Sequence, residues 1–486
     1  MRFSRSLFWL VLAVGGWVLW TRPVWASPSV QETPPQALLW SYLGGGLALF
    51  IPSAVILWVA SGLTDKERAR AALLIPLAVG LTVAAYAAVG FAFEFGGVGL
   101  LDARHGFSQL VWEWSALPEQ WGPYWGMAGF AGWFLRGGAG SPEAVALFVG
   151  HVPWVLTAVF IPLLVLRNRV PSPVPLVVAL VAAGIVVPVA GNWVHGGGWL
   201  ARLGATLGWG HGYVDVGGSG LVGLVGGGMG LALLLAFRLR PLPEDAGEPP
   251  RVTDALLAAM AMLFLAIGTV GWALNNPLYD VAQVPLHRVL VNGLLGVAGG
   301  AFLPALYIWF VRGEHHPHFP LAGAFAGWVS SLAGLPFLPP WATLGVALTV
   351  GFLTPLLLYV VREKLRLDDP AGVVTAALVG GWAGPLAVGL FADGMYGLGW
   401  NAIGRGVYQG VKGQGVSGLW VPTGYAADWP GQMYAQLTGA AAHFFWAFLL
   451  TTLLGVGISM LVWGIRRLTQ ARVLVQPSSG EASSGG

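Results

Sequence analysis

Apolar stretches of about 20 residues follow one another from Leu38 almost to the end of the chain. A helix needs about 20 apolar residues to cross the ~30 Å hydrocarbon core of a bilayer. We predict eleven such spans, at residues 38–62, 71–93, 143–166, 174–193, 219–237, 254–274, 288–311, 320–337, 341–361, 371–391 and 433–464. Only 9% of the residues are charged, whereas soluble domains carry about 25%. The sequence therefore predicts an all-α polytopic membrane protein whose surroundings are the lipid bilayer.

Basic residues lie in alternate connections between the predicted spans. These connections hold Lys66, Arg68, Arg70, Arg167, Arg169, Arg238, Arg240, Arg251, Arg312, Arg362, Lys364, Arg366, Arg466 and Arg467. Connections rich in lysine and arginine stay in the cytoplasm. An odd number of spans then predicts a multi-pass protein of the cell membrane, with the N-terminus outside and the C-terminus in the cytoplasm.

The first residues are typical of a secretory signal peptide. Arg2 and Arg5 precede an apolar stretch at residues 7–20, and a small residue, Ala26, follows it. A first transmembrane helix is the alternative interpretation. The predicted organisation is a signal peptide at 1–26, a short outer segment at 27–37, a membrane domain at 38–467 and a short disordered cytoplasmic tail at 468–486.

The residues favour transport over catalysis. The chain has no cysteine, which excludes disulfides, thiolate metal sites and thiol nucleophiles. No nucleophile–base set and no phosphate-binding loop occurs, so we expect no enzyme, no cofactor and no nucleic-acid partner. The imidazoles of residues 314–318 could bind a metal, but we interpret this segment as a solvated cytoplasmic loop and expect no metal site.

One motif occurs twice in the chain. Residues 215–227 and 369–381 align without a gap and share an aspartate, a glycine three positions later and a final Leu-Val-Gly-Gly. The charge pattern places the two copies in helices that run in opposite directions. We therefore predict an inverted repeat of five plus five spans with one extra helix, an arrangement that builds transporters with a path at the midplane. Asp215 and Asp369 are predicted to cap the starts of their helices.

At these residues the sequence resembles the ammonium transporter/Rhesus family. The similar segments are Val194–Leu200, the motif that begins at Asp215, Gly271-Trp272 with Asn276, and Asp368-Asp369 through Gly380-Gly381. The resemblance covers residues 38 to 467. It implies a homotrimer with one narrow path through each subunit, carrying a small solute that is ammonium or ammonia.

The sequence departs from this family at the residues that line the path. The paired midplane histidines of the family map onto Gly223 and Ala377, and the tryptophan of its outer binding site maps onto His195. The phenylalanine and serine of its sixth span map onto Asn275 and Tyr279. The loss of both imidazoles leaves small residues where a polar relay would stand.

Two further features depart from the family. Its gating phenylalanines map onto Gly150 and Trp154, with His151 beside them, and its C-terminal regulatory tail is missing. A PII-type regulator is therefore not an expected partner. The candidate pore residues are Trp154, His195, Asp215, Gly223, Trp272, Asn275, Tyr279, Ala377 and His151.

Each candidate also has a structural interpretation. Asp215 is a helix cap in that interpretation, and His151 is a core histidine bonded to a backbone carbonyl. Trp154 and Trp272 either fill the space left by the missing imidazoles and close the path, or leave an open apolar slot. An open slot would pass neutral molecules more readily than ions, because an uncompensated charge at the bilayer centre costs about 2.5–3.5 kcal/mol or more.

Three functions remain open from the sequence. The first is a channel or transporter for ammonium or ammonia. The second is a channel for another small neutral solute, and the third is a non-transporting relative that acts as a sensor.

Overall fold

Several helices in this protein begin where the sequence supplies a cap or a proline. The computed structural model describes residues 35–100, 105–116, 125–240, 252–275, 284–312 and 318–475. The predicted signal peptide, Asn276, Tyr279, the loop 313–317 and the end of the tail lie outside the described residues. The third span is an example of such a start. The Ser141 hydroxyl accepts a hydrogen bond of 3.2 Å from the Ala144 amide, and Pro142 occupies the first helical position.

Ten helices among the described residues are long and apolar enough to cross a membrane. They are Ala37–Ala60, Glu67–Leu100, Pro142–Leu166, Pro173–Asn192, Ser219–Ala236, Val252–Leu274, Leu286–Val311, Pro340–Lys364, Pro370–Phe391 and Gly431–Val462. Each matches a predicted span, so the all-α polytopic membrane fold is confirmed. We number the spans one to eleven as the sequence predicts them.

These spans contain both α-helical and π-helical segments. The α-helices are Pro35–Ala48, Phe50–Ala60, Asp65–Ala85, Phe91–Phe95, Pro142–Leu166, Pro173–Val181, Val187–Asn192, Gly227–Ala236, Val252–Leu274, Leu286–Tyr307, His318–Leu332, Pro340–Tyr359, Val373–Phe391 and Gly431–Val475. The π-helical segments are Tyr86–Gly90, Ala182–Val186, Ser219–Gly226, Ile308–Arg312 and Val360–Lys364. A π-turn bends and rotates a helix, and such turns are frequent at functional sites.

Two predicted boundaries are wrong. The eighth span, predicted at 320–337, is helical only over His318–Leu332, 15 residues, or about 22 Å at 1.5 Å per residue. Its helix ends where the amides of Val216 and Gly217 bond to the carbonyls of Ala333 and Leu332. Residues 468–475, predicted as part of a disordered tail, continue the last helix, because no glycine or proline interrupts the sequence between Gly464 and Pro477.

The loops beside the spans carry little regular structure. Glu113–Ser115 pairs antiparallel with Gly126–Gly129, and Val407–Tyr408 pairs with Val411–Lys412. Helix Leu203–Leu207 lies between the fourth and fifth spans. These segments surround the ends of the spans that the charge pattern places outside.

Ion pairs join spans at the opposite end of the protein. Arg167 and Arg169, at the end of the third span, both contact the Asp368 carboxylate just before the tenth. Arg68 of the second span contacts Asp254 of the sixth. The predicted basic clusters therefore tie the ends of the spans to one another.

Candidate functional site

The two copies of the repeated motif form the same local structure. Asp215 accepts hydrogen bonds from the amides of Ser219 at 2.6 Å and Gly220 at 2.8 Å. Asp369 accepts hydrogen bonds from the amides of Val374 at 3.0 Å and Thr375 at 2.8 Å. Both aspartates thus cap a helix start and face the positive end of its dipole.

The glycine three positions after each aspartate makes the cap possible. Gly218 has φ of +79° and Gly372 has φ of +83°. Glycine adopts this left-handed conformation without the steric cost that a side chain brings. The shared glycine of the repeat is therefore explained by the turn that points each carboxylate back at its own helix.

The fifth and tenth spans cross at small residues of the motif. A Cβ atom placed on Gly223 would lie 2.6 Å from the Gly381 Cα and 2.7 Å from the Ala377 carbonyl oxygen. A Cβ atom placed on Gly227 would lie 3.2 Å from the Ala377 Cβ. The residue eight positions after each aspartate thus packs against the residue twelve positions after the other aspartate. This reciprocal contact is the geometry expected of two halves related by a pseudo-two-fold axis.

The crossing leaves no room for a slot between Gly223 and Ala377. The two positions lie together, as the alignment of the repeats requires, but backbone touches backbone there. The expectation of an open apolar slot at this point is therefore wrong, because two helices with small facing residues approach until their backbones meet. For the same reason an imidazole on Gly223 could not be accommodated without separating the spans.

Indole rings fill the space on the side of this crossing that lies nearer the Asp215 cap. Trp154 of the third span stacks on Trp272 of the sixth with centroids 4.9 Å apart and planes 8° from parallel. Trp272 meets Trp328 of the eighth span edge to face at 5.0 Å, and its Nε1–H donates a 2.9 Å hydrogen bond to the Gly217 carbonyl. These rings occupy the space beside the crossing, as in the alternative in which large side chains fill it.

Two histidines lie against Trp154. The His151 ring stacks on the indole at 4.6 Å, and the His195 ring meets it edge to face at 5.0 Å. His195 Nε2 lies 2.8 Å from the Asp215 carbonyl oxygen, which can only accept, so Nε2 is the protonated nitrogen. Burial lowers the pKa of His195 to about 3, with the nearby His151 acting in the same direction and the bond to Asp215 opposing it.

A carboxylate that the sequence analysis missed lies beside His151. Glu94 is fully buried, and its Oε1 lies 3.2 Å from His151 Nδ1. Its Oε2 accepts a 2.7 Å hydrogen bond from the Tyr86 hydroxyl. The interpretation of His151 as a histidine bonded to a backbone carbonyl is wrong, because its neighbour is this side chain.

The remaining candidates lie at the edge of this group. Asn275 is fully buried and its Nδ2 donates a 2.9 Å hydrogen bond to the Gly150 carbonyl, so it ties the sixth span to the third. Tyr279 lies outside the described residues. The structure therefore brings His151, Trp154, His195 and Trp272 together, with the backbone of Asp215, and places Gly223 and Ala377 deeper at the crossing.

Two members of the site carried weak signals in the sequence. Glu94 directly follows the predicted second span, 71–93, where a charge is usual at a helix end, but the span continues through helix Phe91–Phe95. Trp328 is one of 25 tryptophans, and no pattern separates it from the others. A charged residue inside a span is rare and functional by default, so a later boundary would have identified Glu94.

Comparisons with known proteins agree with this architecture. Ammonium transporter Amt2 of Archaeoglobus fulgidus is 27% identical over 453 residues, which cover 92% of this chain and 86% of the relative. The solved structure of a Sensor Amt Protein superposes with a TM-score of 0.67 at 18% identity, covering 87% of this chain and 93% of the other. Mep2 of Candida albicans gives a TM-score of 0.66 at 19% identity, with 87% and 84% covered.

These two solved structures show the fold alone, since their identity to this chain is low. A family model extends the relation to nearly the whole sequence. It is described as the Ammonium Transporter Family and matches residues 39–471. The chain therefore belongs to the Ammonium Transporter Family.

Proposed function

We propose that this protein moves ammonium or ammonia across the cell membrane. The observation that carries the proposal is the family match over residues 39–471, which includes both capping motifs. A relative that covers 92% of this chain is named an ammonium transporter. The buried polar group around His151 and Glu94 supports the same function, because polar groups at depth mark ion and substrate pathways.

The structure favours passage of the neutral molecule through the inner part of the path. The contacts at Gly223, Gly227 and Gly381 come from backbone and from aliphatic side chains. Because the crossing itself leaves no room, the solute would pass beside it among aliphatic side chains, where ammonia carries no charge to desolvate. We therefore propose that ammonium binds on the outer side and that ammonia crosses the aromatic and aliphatic region.

We further propose the orientation and assembly that the sequence predicts. Arg167 and Arg169 would face the cytoplasm, the mature N-terminus would lie outside, and the chain would form a homotrimer. Large apolar side chains are exposed along the sixth, seventh and ninth spans, among them Leu263 at 62%, Phe302 at 55% and Phe352 at 57%. Lipid or neighbouring subunits would cover these faces, and native mass spectrometry in mild detergent would distinguish a trimer from a monomer or dimer.

The transport proposal is tested with purified protein in liposomes. A pH-sensitive dye inside the liposomes would record the internal pH after a jump in ammonium concentration. A solid-supported membrane would record the current that accompanies the same jump. We expect internal alkalinisation faster than in empty liposomes and no response to sodium. A rate equal to that of empty liposomes would contradict transport.

One observation favours a second candidate, a non-transporting sensor-like relative. The backbone contact between Gly223 and Gly381 closes the crossing without any side chain that could move aside. Specific ammonium binding by calorimetry, together with no transport in liposomes, would support this candidate. Swelling driven by a different neutral solute, with no response to ammonium, would instead support a channel for that solute.

A further inference from the structure

Glu94 and His151 form a buried polar pair that belongs neither to the capping motifs nor to the helix crossing. Both side chains are 0% exposed, with Nδ1 and Oε1 at 3.2 Å. Removing a carboxylate from water costs several kcal/mol, and Tyr86 is the hydroxyl that bonds to it. A structural role needs no such pair at this depth, since an apolar contact between the second and third spans would pack at lower cost.

The ring nitrogen of His151 that does not face Glu94, Nε2, carries a lone pair. His151 Nδ1 and Glu94 Oε1 do not form a hydrogen bond in the structure, but the carboxylate oxygen 3.2 Å away favours a proton on Nδ1 over Nε2, which leaves Nε2 as the acceptor of the neutral ring. His151 Nε2 forms no hydrogen bond with the described residues, and neither does His195 Nδ1. Because His195 Nε2 donates to the Asp215 carbonyl, His195 Nδ1 is an acceptor as well.

These two acceptors belong to neighbouring rings at one place. The His151 and His195 centroids are 5.6 Å apart, and both rings contact Trp154. Unpartnered buried acceptors are costly, and a small molecule with several N–H donors would satisfy both.

We propose that His151, backed by Glu94, is the proton acceptor for ammonium, with His195 as a second acceptor that holds the molecule. This inference rests on the proposed transport function and names the residues that perform its outer step. The pair stands on the second and third spans, away from Gly223 and Ala377, where the sequence has lost its midplane imidazoles.

The proposed proton transfer conserves atoms and charge. One N–H bond of ammonium breaks, its electron pair stays on nitrogen, and neutral ammonia results. The proton forms a new N–H bond at His151 Nε2, and the Glu94 carboxylate stabilises the imidazolium. The proton then returns to the outer solution; the nearest atoms to Gly223 and Gly381 are backbone and aliphatic and offer it no carrier at that contact.

Glu94→Gln and His151→Gln test the transport role of the pair. We expect each to slow ammonium-driven alkalinisation about tenfold or more, which corresponds to about 1.4 kcal/mol. Glu94→Asp should restore part of the rate, since it keeps the charge. Glu143→Gln and His211→Gln are matched controls, because they remove a buried carboxylate and a buried imidazole elsewhere and should leave the rate near wild type.

A spectroscopic measurement separates this inference from the transport proposal and from misfolding. In protein labelled with ¹⁵N-histidine, the His151 signal is assigned by its absence in His151→Gln. Ammonium should move this signal toward the imidazolium position in wild type and not in Glu94→Gln, with both proteins monodisperse and folded. An unchanged signal in wild type overturns the inference. A shifted signal without transport supports the proposed proton-accepting site and contradicts the transport proposal. Transport that persists at the wild-type rate in both glutamine variants overturns the proton-accepting site and leaves the transport proposal intact.

Discussion

The indole rings of Trp154 and Trp272 lie 4.9 Å apart and only 8° from parallel, which joins the third and sixth spans face to face. The Trp154 ring also rests on Gly218, where an added Cβ would come within 2.6 Å of it. This one stack therefore brings together the third, fifth, sixth and eighth spans around the proposed path. In the proposed transport function, this stack would be a barrier to ammonia.

Trp154→Ala should open this barrier. We expect faster permeation of small neutral solutes and weaker selection among them, measured by stopped-flow light scattering on proteoliposomes. Removing a buried indole should also lower stability by about 3–5 kcal/mol. Trp341→Ala is the control, since that side chain is 67% exposed, and equal permeation in the two variants would contradict a barrier at Trp154.

Gly223→Ala should destabilise the crossing of the fifth and tenth spans. Its Cβ would lie 2.6 Å from the Gly381 Cα, so the backbones must separate, at about 1–3 kcal/mol. Thermal melts in detergent would show the loss. The control is Gly345→Ala in the ninth span, where no atom lies within 4 Å and stability should rise by up to about 1 kcal/mol.

Asp215→Asn and Asp369→Asn should have similar effects. Each replaces one of two accepting oxygens by an NH₂ group that faces a backbone donor. We expect each to lower the free energy of unfolding by about 1–2 kcal/mol, seen as lower melting temperatures. Asp65→Asn, whose side chain is 73% exposed, should change little; a loss at only one of the two caps would argue against equivalent motifs.

His211 should make stability depend on pH. Burial lowers its pKa from 6.5 to about 4, so between these values the unfolded chain binds a proton that the folded chain does not. The free energy of unfolding therefore falls as pH drops through this window, by about 2 kcal/mol at pH 5 from this residue. His211→Gln should lose less stability than wild type between pH 7 and pH 5, and identical losses would contradict the prediction.

The absence of cysteine makes the proposed orientation easy to test. Val407→Cys lies on the side predicted to be outside and Leu365→Cys on the side predicted to be cytoplasmic, and the native side chains are 60% and 56% exposed. A membrane-impermeant maleimide added to intact cells should label the first variant and not the second. The reverse pattern would invert the topology.

Sequence reasoning succeeds where local chemistry decides the structure. Asp215 and Asp369 could be predicted as caps because a carboxylate near free helix amides has a strong local preference. The eighth span could not be bounded in the same way, because its helix ends where Leu332 and Ala333 bond to the fifth-span loop. That contact joins segments more than 100 residues apart and leaves no local signal.

In the candidate site, too, some features have a local sequence signal and others depend on packing between distant segments. Gly223 and Ala377 could be aligned from the repeat, but small residues at a helix crossing are compatible with either an open slot or direct backbone contact. Only the packing distance decides between them. Glu94 was missed because the predicted second span ended one residue before it, and its contacts with Tyr86 and His151 leave no local signal.

The π-helical segment Ser219–Gly226 sets the rotational phase of the fifth span. Its wide turns hold one residue more than α-turns of the same rise, between the cap at Asp215 and the contact of Gly227 with Ala377. If the same residues formed an α-helix instead, the extra residue would turn everything after it by about 100°. Gly227 would then face away from Ala377, so the wide turns of this segment, as much as the identity of its residues, hold the two halves of the protein in register.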